Sequence, residues 1–379
     1  MENRRLTILN LISGNGRGGS DRLALDVSKG LKQRGHRVIW GAPAFCELNE
    51  EAAAAGLELL APDSPDAQGG TGVRHFMRLC DREGIDIINS HHSKDRHLLL
   101  TARIRGLRTK TVFTRHCILS GMPYVGTFYY NLMDMNIAVS RAVGDSLLRG
   151  GVWRSKAAVV YGGIDIPRFS SPAGEEVDRI RRTYRREGAF TVGIVGRYTG
   201  GRKFSPENPS MKGHEFLFRA LSGMGDDFQV LVLGVWGDED IRDLGQVAEY
   251  CGLPAGRLTF CNYQKEIAPF YQIMDLNVLP SKNEGLGLAL IEAMAAGVPC
   301  IGADSGGIRE IITDGVDGLL FRHGDSRELS EKIRIVRDDK NKRDLFVKNA
   351  KRKVKERFDI EQTVEETEKV FSGLMPGRM

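Results

Sequence analysis

The sequence predicts an α/β protein with two domains, each built on a doubly wound parallel sheet. Three observations lead to this fold class. The chain has 379 residues, more than one hydrophobic core usually organises. Short apolar runs alternate with longer amphipathic segments in two successive series, as in βαβ units. Between the two series, a stretch rich in Gly, Pro and Ser runs from Gly162 to Gly174, and we place the linker there.

The first series begins with an apolar run that has two interpretations. Basic residues over Met1–Arg5 precede it, as in a leader peptide, but the run is short and meets Ser13-Gly14-Asn15-Gly16 in place of a cleavage site. We therefore interpret the run as a first buried strand, with a helical pattern around Leu23–Arg34 after it. The strands predicted for this series are Leu6–Ile12, Arg37–Trp40, Ile85–Asn89, Thr111–Thr114, Ile137–Val139 and Ala157–Tyr161.

The second series repeats the alternation and ends in charged helices. Its predicted strands are Phe190–Val195, Phe228–Leu233, Leu258–Phe260, Leu276–Leu279 and Pro299–Ile301, with helices over His214–Leu221 and Ile291–Ala296. Helical segments follow over Ser326–Lys355 and Ile360–Leu374. The sequence thus predicts an amino-terminal domain over 1–168, a carboxyl-terminal domain over 169–355, and a final helix within 356–379 that packs back on the amino-terminal domain. Ligands of open α/β sheets lie at the carboxyl ends of strands, so we expect a cleft between the two sheet edges.

Composition excludes some classes of function and leaves one open. A net charge of +5 with 7% aromatic residues does not form the basic, aromatic-rich stripe of a nucleic-acid-binding protein. Six scattered cysteines suggest no zinc or redox motif and fit a reducing cytoplasm. No apolar run approaches the roughly 20 residues that cross a bilayer. Basic stretches such as Lys351-Arg352-Lys353 suit either a solvated helix face or a peripheral contact with anionic lipid.

A glycine-rich loop follows the first predicted strand. It runs from Ser13 to Ser20, with Ser20 or Asp21 as the expected helix cap. Small residues allow a ligand to approach the backbone, and N–H groups at a helix start attract phosphate. The loop matches neither the dinucleotide fingerprint nor a Walker motif. A tight turn and a ligand-binding loop are therefore both open interpretations of these residues alone.

A second glycine-rich segment follows the predicted strand Leu276–Leu279. Glu284 lies in the loop, and Gly285 and Gly287 lead into a helix that carries Glu292. Backbone N–H groups at the helix start would face an anion, and the two carboxylates would accept hydrogen bonds from hydroxyl groups. The same residues, taken alone, also suit an ordinary helix start with a capping carboxylate. The segment continues from Glu292 to Ile312 and includes Gly306-Gly307, and it is the resemblance of this longer segment to a known family that favours a ligand site.

This longer segment resembles the carboxyl-terminal domain of retaining glycosyltransferases of family 4, also called glycosyltransferase group 1. The Glu-x7-Glu motif of that family falls on Glu284 and Glu292, and its Gly-Gly pair falls on Gly306 and Gly307. Asp134 with Val139-Ser140 and the segment Tyr161–Asp165 resemble further family motifs, although Gly162 replaces the usual Asn. The resemblance implies the GT-B fold, in which two Rossmann-like domains hold a nucleotide sugar in the cleft.

Two cations of the family motif stabilise the donor diphosphate, whose charge grows as the glycosidic bond breaks. Gly196-Arg197 and Lys212-Gly213 resemble that pair. The intervening segment Tyr198–Met211 is longer than usual and adds Arg202 and Lys203, so either Lys203 or Lys212 reaches the diphosphate. The donor-binding residues that the resemblance implies are Gly18, Gly19, Gly196, Arg197, Lys212, Tyr263, Glu284, Gly285, Leu286, Gly287, Leu288 and Glu292.

Histidines mark the acceptor side in the amino-terminal half. His91 and Lys94 match a family segment of two histidines and a lysine, while Asn89 stands where the first histidine is common. His116 resembles the family histidine at a strand end near the reacting sugar. The resemblance implies acceptor-side roles for His91, Lys94 and His116, and catalytic roles for Glu284, His116, Arg197 and Lys212. A single histidine is also often structural.

The resemblance implies a retaining hexosyl transfer from a UDP- or GDP-sugar to a glycan, lipid-linked or small-molecule acceptor, with no metal and no cofactor. Surface polysaccharide or lipopolysaccharide synthesis is a suitable pathway, in the cytoplasm or at the inner face of the membrane. A non-catalytic protein of the same fold that binds nucleotide sugars or glycans is the alternative; an epimerase and a phosphorylase of this fold fit the motifs less well.

Acceptor residues would lie in Gly69–Gly72 and His116–Tyr130, with Arg96, Arg103, Arg105 and Arg108 nearby.

Overall fold

The computed structural model describes residues 4–60, 70–119, 124–198 and 212–375. The chain divides into two compact units. Unit 1 comprises Met1–Gly163 together with Ile360–Met379, and unit 2 comprises Ile164–Asp359. The predicted boundary after residue 168 therefore falls five residues beyond the division at Gly163, inside a short helix of unit 2.

Unit 1 is built on a parallel sheet of seven described strands. Their order across the sheet is β3-β2-β1-β4-β5-β6-β7. The strands are β1 (Thr7–Leu11), β2 (Arg37–Gly41), β3 (Glu58–Leu60), β4 (Ile87–Ser90), β5 (Lys110–Arg115), β6 (Met135–Ala138) and β7 (Ala157–Val159). The helices are α1 (Gly19–Gln33), α2 (Asn49–Ala54), α3 (Gly70–Arg82), α4 (Arg96–Ile104), α5 (Tyr124–Leu132) and α6 (Arg141–Arg149).

Unit 2 repeats the design with a parallel sheet of six described strands in the order β10-β9-β8-β11-β12-β13. The strands are β8 (Phe190–Val195), β9 (Phe228–Val235), β10 (Leu258–Asn262), β11 (Leu276–Leu279), β12 (Cys300–Ala303) and β13 (Leu319–Phe321). The helices are α7 (Ile166–Ser170), α8 (Gly174–Tyr184), α9 (His214–Ser222), α10 (Asp238–Tyr250), α11 (Ala268–Tyr271), α12 (Leu288–Ala296), α13 (Ile308–Ile311), α14 (Ser326–Asp338) and α15 (Lys340–Arg357).

The central strands are buried on both faces, which explains why they read as continuous apolar runs. All four residues of β11 are buried, as are the last four residues of β1. Helices cover both faces of such sheets, so each central strand is mostly apolar, with Asn10 in β1 and Asn277 in β11 as buried polar exceptions. The edge strand β3 has two exposed residues and no apolar run of this kind, and the sequence did not predict it.

The last helix, α16 (Ile360–Gly373), belongs to unit 1 and packs against α1. Its Glu368 is buried and accepts a hydrogen bond from Arg34 at 3.1 Å. The other carboxylate oxygen lies 2.9 Å from Nε2 of His36, which is also buried. These polar contacts, together with buried Val364 and Phe371, fix the end of the chain on unit 1.

No helix in the described ranges is both long and apolar enough to cross a membrane.

Candidate functional site

The predicted donor residues of unit 2 cluster at the carboxyl end of its sheet. Gly196 and Arg197 directly follow β8, and Tyr263 directly follows β10 and is half-buried. Glu284 lies in the loop after β11. Because the strands are parallel, these loops emerge at the same edge of the sheet.

Lys212 and Glu284 form an ion pair at this edge. Nζ of Lys212 donates to Oε2 of Glu284 at 2.9 Å, and both side chains are partly exposed. A Cβ on Gly196 would lie 3.4 Å from Cε of Lys212, so the Gly-Arg and Lys-Gly segments meet here. Lys203, the other candidate for the diphosphate, lies outside the described residues.

Arg197 lies exposed beside this pair and stacks on an aromatic ring. Its guanidinium carbon is 4.2 Å from the centroid of Trp236. Such a cation–π contact holds the cation in place while leaving its N–H groups available. Sequence reasoning missed Trp236, although an aromatic residue directly after β9 was a usable signal.

The loop from Glu284 to Leu288 is shaped by close backbone contacts. Gly287 caps α12 with a φ of +104°, which favours glycine, and no side chain caps this helix. The N–H of Gly307 donates to the carbonyl of Glu284 at 2.9 Å. A Cβ on Gly307 would lie 2.7 Å from Cα of Leu286, so glycine is needed there too. Gly285, Leu286 and Gly287 are buried, and Leu288 begins the helix.

Glu292 lies on the second turn of α12 and is held by a tyrosine. The hydroxyl of Tyr271 donates to Oε2 of Glu292 at 2.7 Å. Burial, and then the Glu292 carboxylate, raise the pKa of Tyr271 well above its usual value, so the hydroxyl keeps its proton. Tyr271 comes from the short helix α11, and no pattern in the sequence pointed to this contact.

In unit 1, the glycine-rich loop is anchored by an ion pair that the sequence did not predict. Oδ1 of Asp21 lies 2.6 Å from Nε2 of His92, and a Cβ on Gly14 would lie 2.8 Å from Cε1 of that ring. Burial lowers the pKa of His92 and the Asp21 carboxylate raises it; the carboxylate prevails, so the pKa lies above its usual value.

The expected cap of the first helix was wrong. Gly18 is the N-cap of α1, and Gly19 is the first helical residue, in place of Ser20 or Asp21. The N–H of Gly18 donates to Oδ2 of Asp21 at 3.4 Å. Asp21 thus reaches back to the cap from the third helical position, as in half of a capping box.

The two histidines predicted for the acceptor side are in contact. Nδ1 of His91 lies 3.1 Å from Nε2 of His116. Burial, followed by the charge of His116, lowers the pKa of His91 well below its usual value, and burial lowers that of His116 to about 3. Both rings are therefore neutral near pH 7. His91 also lies 3.0 Å from Nδ2 of Asn89, the residue that departs from the family pattern.

Lys94 lies exposed in a single 3-10 turn, Ser93–Asp95, and its neighbour Asp95 is buried. Ser90 donates to Oδ2 of Asp95 at 2.7 Å, and Ser13 donates to the other oxygen. Burial raises the pKa of Asp95 to about 6. The sequence missed Asp95, whose only signal was its place shortly after a strand end.

Structural partners explain four residues that the sequence singled out in unit 1: Asp134, Ser140, Arg96 and Arg103. Asp134 accepts hydrogen bonds from the backbone and hydroxyl of Thr111 and pairs with Arg103 at 3.3 Å. The guanidinium of Arg96 lies 5.6 Å from the ring centroid of Tyr129. Ser140 caps α6 by accepting from the N–H of Val143. Arg96 and Arg103 thus contribute to packing in unit 1; Gly69 and residues 120–123 of the predicted acceptor segments lie outside the described residues.

Among the described residues, no group of three or more His, Cys, Asp or Glu side chains is arranged to hold a metal ion.

Comparison with known families assigns both halves of the chain. The family described as Glycosyltransferase Family 4 matches residues 17–168, and the family described as Glycosyl transferases group 1 matches residues 204–353. This chain belongs to the group 1, family 4 glycosyltransferases. The second match contains Lys212, Glu284, Glu292 and the Gly306-Gly307 pair, which carried the resemblance in the sequence.

Curated relatives within this family match parts of the chain. N-acetyl-alpha-D-glucosaminyl L-malate synthase of Bacillus anthracis is 36% identical over 116 residues, which cover 30% of each chain. A GDP-mannose-dependent alpha-mannosyltransferase of Mycobacterium tuberculosis is 32% identical over 196 residues, 52% of this chain and 46% of the relative. The matched segments thus span less than half the length of either relative.

Solved glycosyltransferase structures share the whole fold. Anabaena HepE in complex with UDP-glucose has a TM-score of 0.84 at 23% identity, covering 97% of this chain and 100% of HepE. A glycosyltransferase from Rickettsia africae also has a TM-score of 0.84, at 19% identity, covering 99% and 100% of the two chains. These likenesses concern the fold, and they confirm the predicted class of two Rossmann-like parallel sheets of the GT-B type.

Proposed function

We propose that this family member transfers a hexosyl group from a nucleoside-diphosphate sugar to an acceptor hydroxyl, with retention of the anomeric configuration. The observation that carries the proposal is the 2.9 Å pair between Lys212 and Glu284, beside the start of α12. A cation and the N–H end of a helix attract phosphate groups, and a carboxylate accepts hydrogen bonds from the hydroxyl groups of a sugar. They suit binding of the phosphates and of the sugar hydroxyls together.

Each charged group has one proposed role. Arg197 and Lys212 stabilise the diphosphate as it gains charge on leaving, which removes the need for a metal or another cofactor. Glu284 accepts hydrogen bonds from the sugar, and Glu292 accepts them from the ribose. The acceptor hydroxyl attacks on the face from which the diphosphate leaves, and the leaving phosphate takes its proton.

The names of similar proteins support both UDP- and GDP-sugars as donors. HepE was crystallised with UDP-glucose, while the mycobacterial relative is described as GDP-mannose-dependent. The capsular polysaccharide biosynthesis glycosyltransferase CapM of Staphylococcus aureus is 23% identical over 278 residues, covering 69% of its length. This relative supports a glycan or lipid-linked acceptor in surface polysaccharide synthesis.

A donor screen tests the proposed function. UDP-, GDP- and ADP-sugars are added singly to the full chain, and the melting temperature and the release of nucleoside diphosphate are measured. One donor should raise the melting temperature and be hydrolysed slowly, because ligands that bind only the folded state stabilise it. Binding of a donor without any turnover, with or without candidate acceptors, would instead favour the non-catalytic alternative. NMR of the freshly released sugar then reports retention or inversion.

We also propose that unit 1 contacts the inner face of the membrane from the cytoplasm. Phe128 and Trp153 are 56% and 62% exposed. Their segments of the chain are in contact, because the backbone N–H of Trp153 donates to Oδ1 of Asn131, one turn beyond Phe128 on α5. Arg149 and Arg154 are exposed close by in the sequence. Aromatic side chains beside cations suit an anionic lipid surface.

Vesicle sedimentation tests this contact. The full chain should sediment with vesicles of anionic phospholipid, and the variants F128A and W153A should sediment less. Phe45 is 68% exposed elsewhere in unit 1, so F45A is the matched control and should behave as the unaltered chain. Equal binding by all the variants would contradict the proposed surface.

A further inference from the structure

Five polar side chains form a continuous hydrogen-bonded series from α1 to the end of β5. We call Ser28, Asn10, Asn89, His91 and His116 the polar chain. The first four are buried, and His116 is half-buried at its end. A buried series of this kind is satisfied only if each donor meets an acceptor, so its direction can be worked out residue by residue.

The direction is set at Ser28. Its hydroxyl donates to the carbonyl of Ala24 at 2.7 Å, which uses its only proton. Ser28 Oγ must therefore accept from Asn10, whose Nδ2 lies 2.7 Å away. The Oδ1 atom of Asn10 is consequently an acceptor that faces β4.

Asn89 continues the same direction. Its Nδ2 donates to Oδ1 of Asn10 at 3.0 Å, and its Oδ1 accepts from the hydroxyl of Thr114 at 2.8 Å. The second proton on Nδ2 faces Nε2 of His91 at 3.0 Å. Because an N–H group already points at it, Nε2 of His91 must be the unprotonated nitrogen of that ring.

The proton of His91 is therefore on Nδ1, which donates to Nε2 of His116 at 3.1 Å. The reverse arrangement would direct Nε2–H of His91 toward Oδ1 of Asn10, at the longer distance of 3.4 Å. It would also oppose two N–H groups across the 3.0 Å contact with Asn89. Since burial keeps both rings neutral, each carries one proton, and that of His116 is on Nδ1.

We propose that Ser28, Asn10, Asn89 and His91 are positioning residues that hold His116 in the Nδ1–H tautomer. The consequence for catalysis rests on the proposed function: His116 then offers a hydrogen-bond donor to a substrate oxygen, and its other nitrogen is occupied. Asn89 has a defined part in this arrangement. An amide presents a donor and an acceptor at fixed ends and does not titrate, whereas the histidine common at this position in the family has exchangeable tautomers.

NMR of the full chain labelled with 15N-histidine tests the proposal directly. Correlations between ring nitrogens and ring protons identify the tautomer, and the variants H91Q and H116Q assign the signals. We expect the proton on Nδ1 in both rings at pH 7. A proton on Nε2 of His116 in the unaltered chain would overturn the proposal without any further variant.

The variant N89L tests whether the polar chain imposes this tautomer. Leucine has a similar size but no donor, so Nε2 of His91 should take the proton and donate to Asn10, and His116 should change to Nε2–H. A tautomer unchanged in N89L would also overturn the proposal. If N89L does not fold, S28A serves instead. Without the Ser28 hydroxyl, the side-chain amide of Asn10 can rotate by about 180°, so His116 should show both tautomers. The Nδ1–H tautomer alone in S28A would contradict the proposal.

Two controls separate positioning from general damage to the sheet. T114V removes a hydroxyl that only donates to Asn89, and N136L removes another buried asparagine, which donates to the carbonyls of Tyr130 and Lys156. Both should keep the Nδ1–H tautomer. If the unaltered chain turns over a nucleotide sugar, N89L should lower kcat by about tenfold or more and leave KM for that nucleotide sugar nearly unchanged. If no nucleotide sugar is bound or turned over, the proposed function is refuted, and the tautomer measurement still tests the present proposal by itself.

Discussion

At the carboxyl end of the unit 2 sheet the polar side chains are charged and partly exposed, whereas at the same end of the unit 1 sheet they are mostly buried. Lys212 and Glu284 represent the first kind, with 28% and 19% of their side-chain surface exposed. Asn10, Asn89 and His91 represent the second, each 8% exposed or less. The same topology thus presents partly exposed charges in one unit and, beside the His92–Asp21 ion pair, a buried neutral network in the other. Charges suit phosphate, and neutral donors suit sugar hydroxyls.

The largest effect that would test this difference is expected from R197A. Loss of one preorganised cation at a leaving group typically lowers kcat by about 100- to 1,000-fold. Arg197 is exposed, so the melting temperature should change little. Arg219 is the matched control, because it is also exposed and lies 5.9 Å from the ring centroid of Tyr250. Steady-state kinetics of R219A should match the unaltered chain; equal losses in both variants would remove the special role of Arg197.

Glu284→Gln separates binding from turnover. The carboxylate pairs with Lys212 and repels an incoming diphosphate, so its neutral replacement should bind nucleoside diphosphate several-fold more tightly, a gain of about 1 kcal/mol or less. The same variant should lower kcat by about 100-fold, because the sugar loses a charged acceptor. Calorimetry and kinetics on one preparation measure both. Weaker binding together with unchanged kcat would reverse the roles assigned to this pair.

Gly307→Ala should distort the loop that carries Glu284. The new methyl group would overlap the carbonyl of Gly285, and overpacking of this kind costs about 1–3 kcal/mol. We expect kcat/KM to fall by about tenfold. Gly245 lies inside α10 with nothing within 4 Å of a new Cβ, so G245A should keep full activity and gain up to about 1 kcal/mol of stability. Full activity in G307A would show that the loop tolerates displacement.

The smallest expected effect concerns Asp95 in unit 1 and depends on pH. Burial raises its pKa to about 6 from the usual value of 3.8. The folded state therefore favours the protonated form, and this contribution to stability is present below pH 4 and is lost as the pH rises through 6. The free energy of unfolding of D95N, taken relative to that of the unaltered chain, should therefore rise by about 1 kcal/mol from pH 5 to pH 8.

Asp134 is the control for Asp95, because its pKa is shifted in the opposite direction. Although burial opposes it, hydrogen bonds from Thr111 and the nearby Arg103 and Lys110 lower the pKa of Asp134 below its usual value. Asp134 is then ionised in both the folded and unfolded states from pH 5 to 8, so the stability loss in D134N should not change over that range. Melting curves at the two pH values check both variants. A D95N difference that does not change with pH would contradict the raised pKa.

The sequence predicted the contacts of the unit 2 candidate site more completely than those of the unit 1 candidate site. Glu284 and Lys212 stand in family motifs, and the structure places them in contact. His92 and Asp21, by contrast, are 71 residues apart and belong to no motif that was recognised. Their pairing depends on two neighbouring strands, β1 and β4, which bring the first turn of α1 and the loop after β4 together, and such contacts follow only from the register of the sheet.

Two short strands and the role of Asn89 were also not predicted from the sequence. Most strands were predicted because burial on both faces makes them continuously apolar. The short edge strands β3 and β13 were missed, since three residues give no periodicity, whereas the equally short β7 was predicted because the apolar run there continues to Tyr161. Asn89 was interpreted as a departure from the family pattern, but its contacts with Asn10, Thr114 and His91 give it a position in a buried network. Hydrogen-bond direction is a property of partners, which a linear sequence does not show.

The measurement that tests the central claim most directly is the affinity for the nucleoside diphosphate of the donor identified by screening. It is measured by calorimetry on the unaltered chain and on R197A and H116A. If charge in unit 2 holds the phosphates, R197A should bind about tenfold or more weakly, since charge-assisted hydrogen bonds contribute about 1.5–3 kcal/mol. H116A should bind within about twofold of the unaltered chain. Equal losses in both variants, or no loss in R197A, would contradict the division of roles.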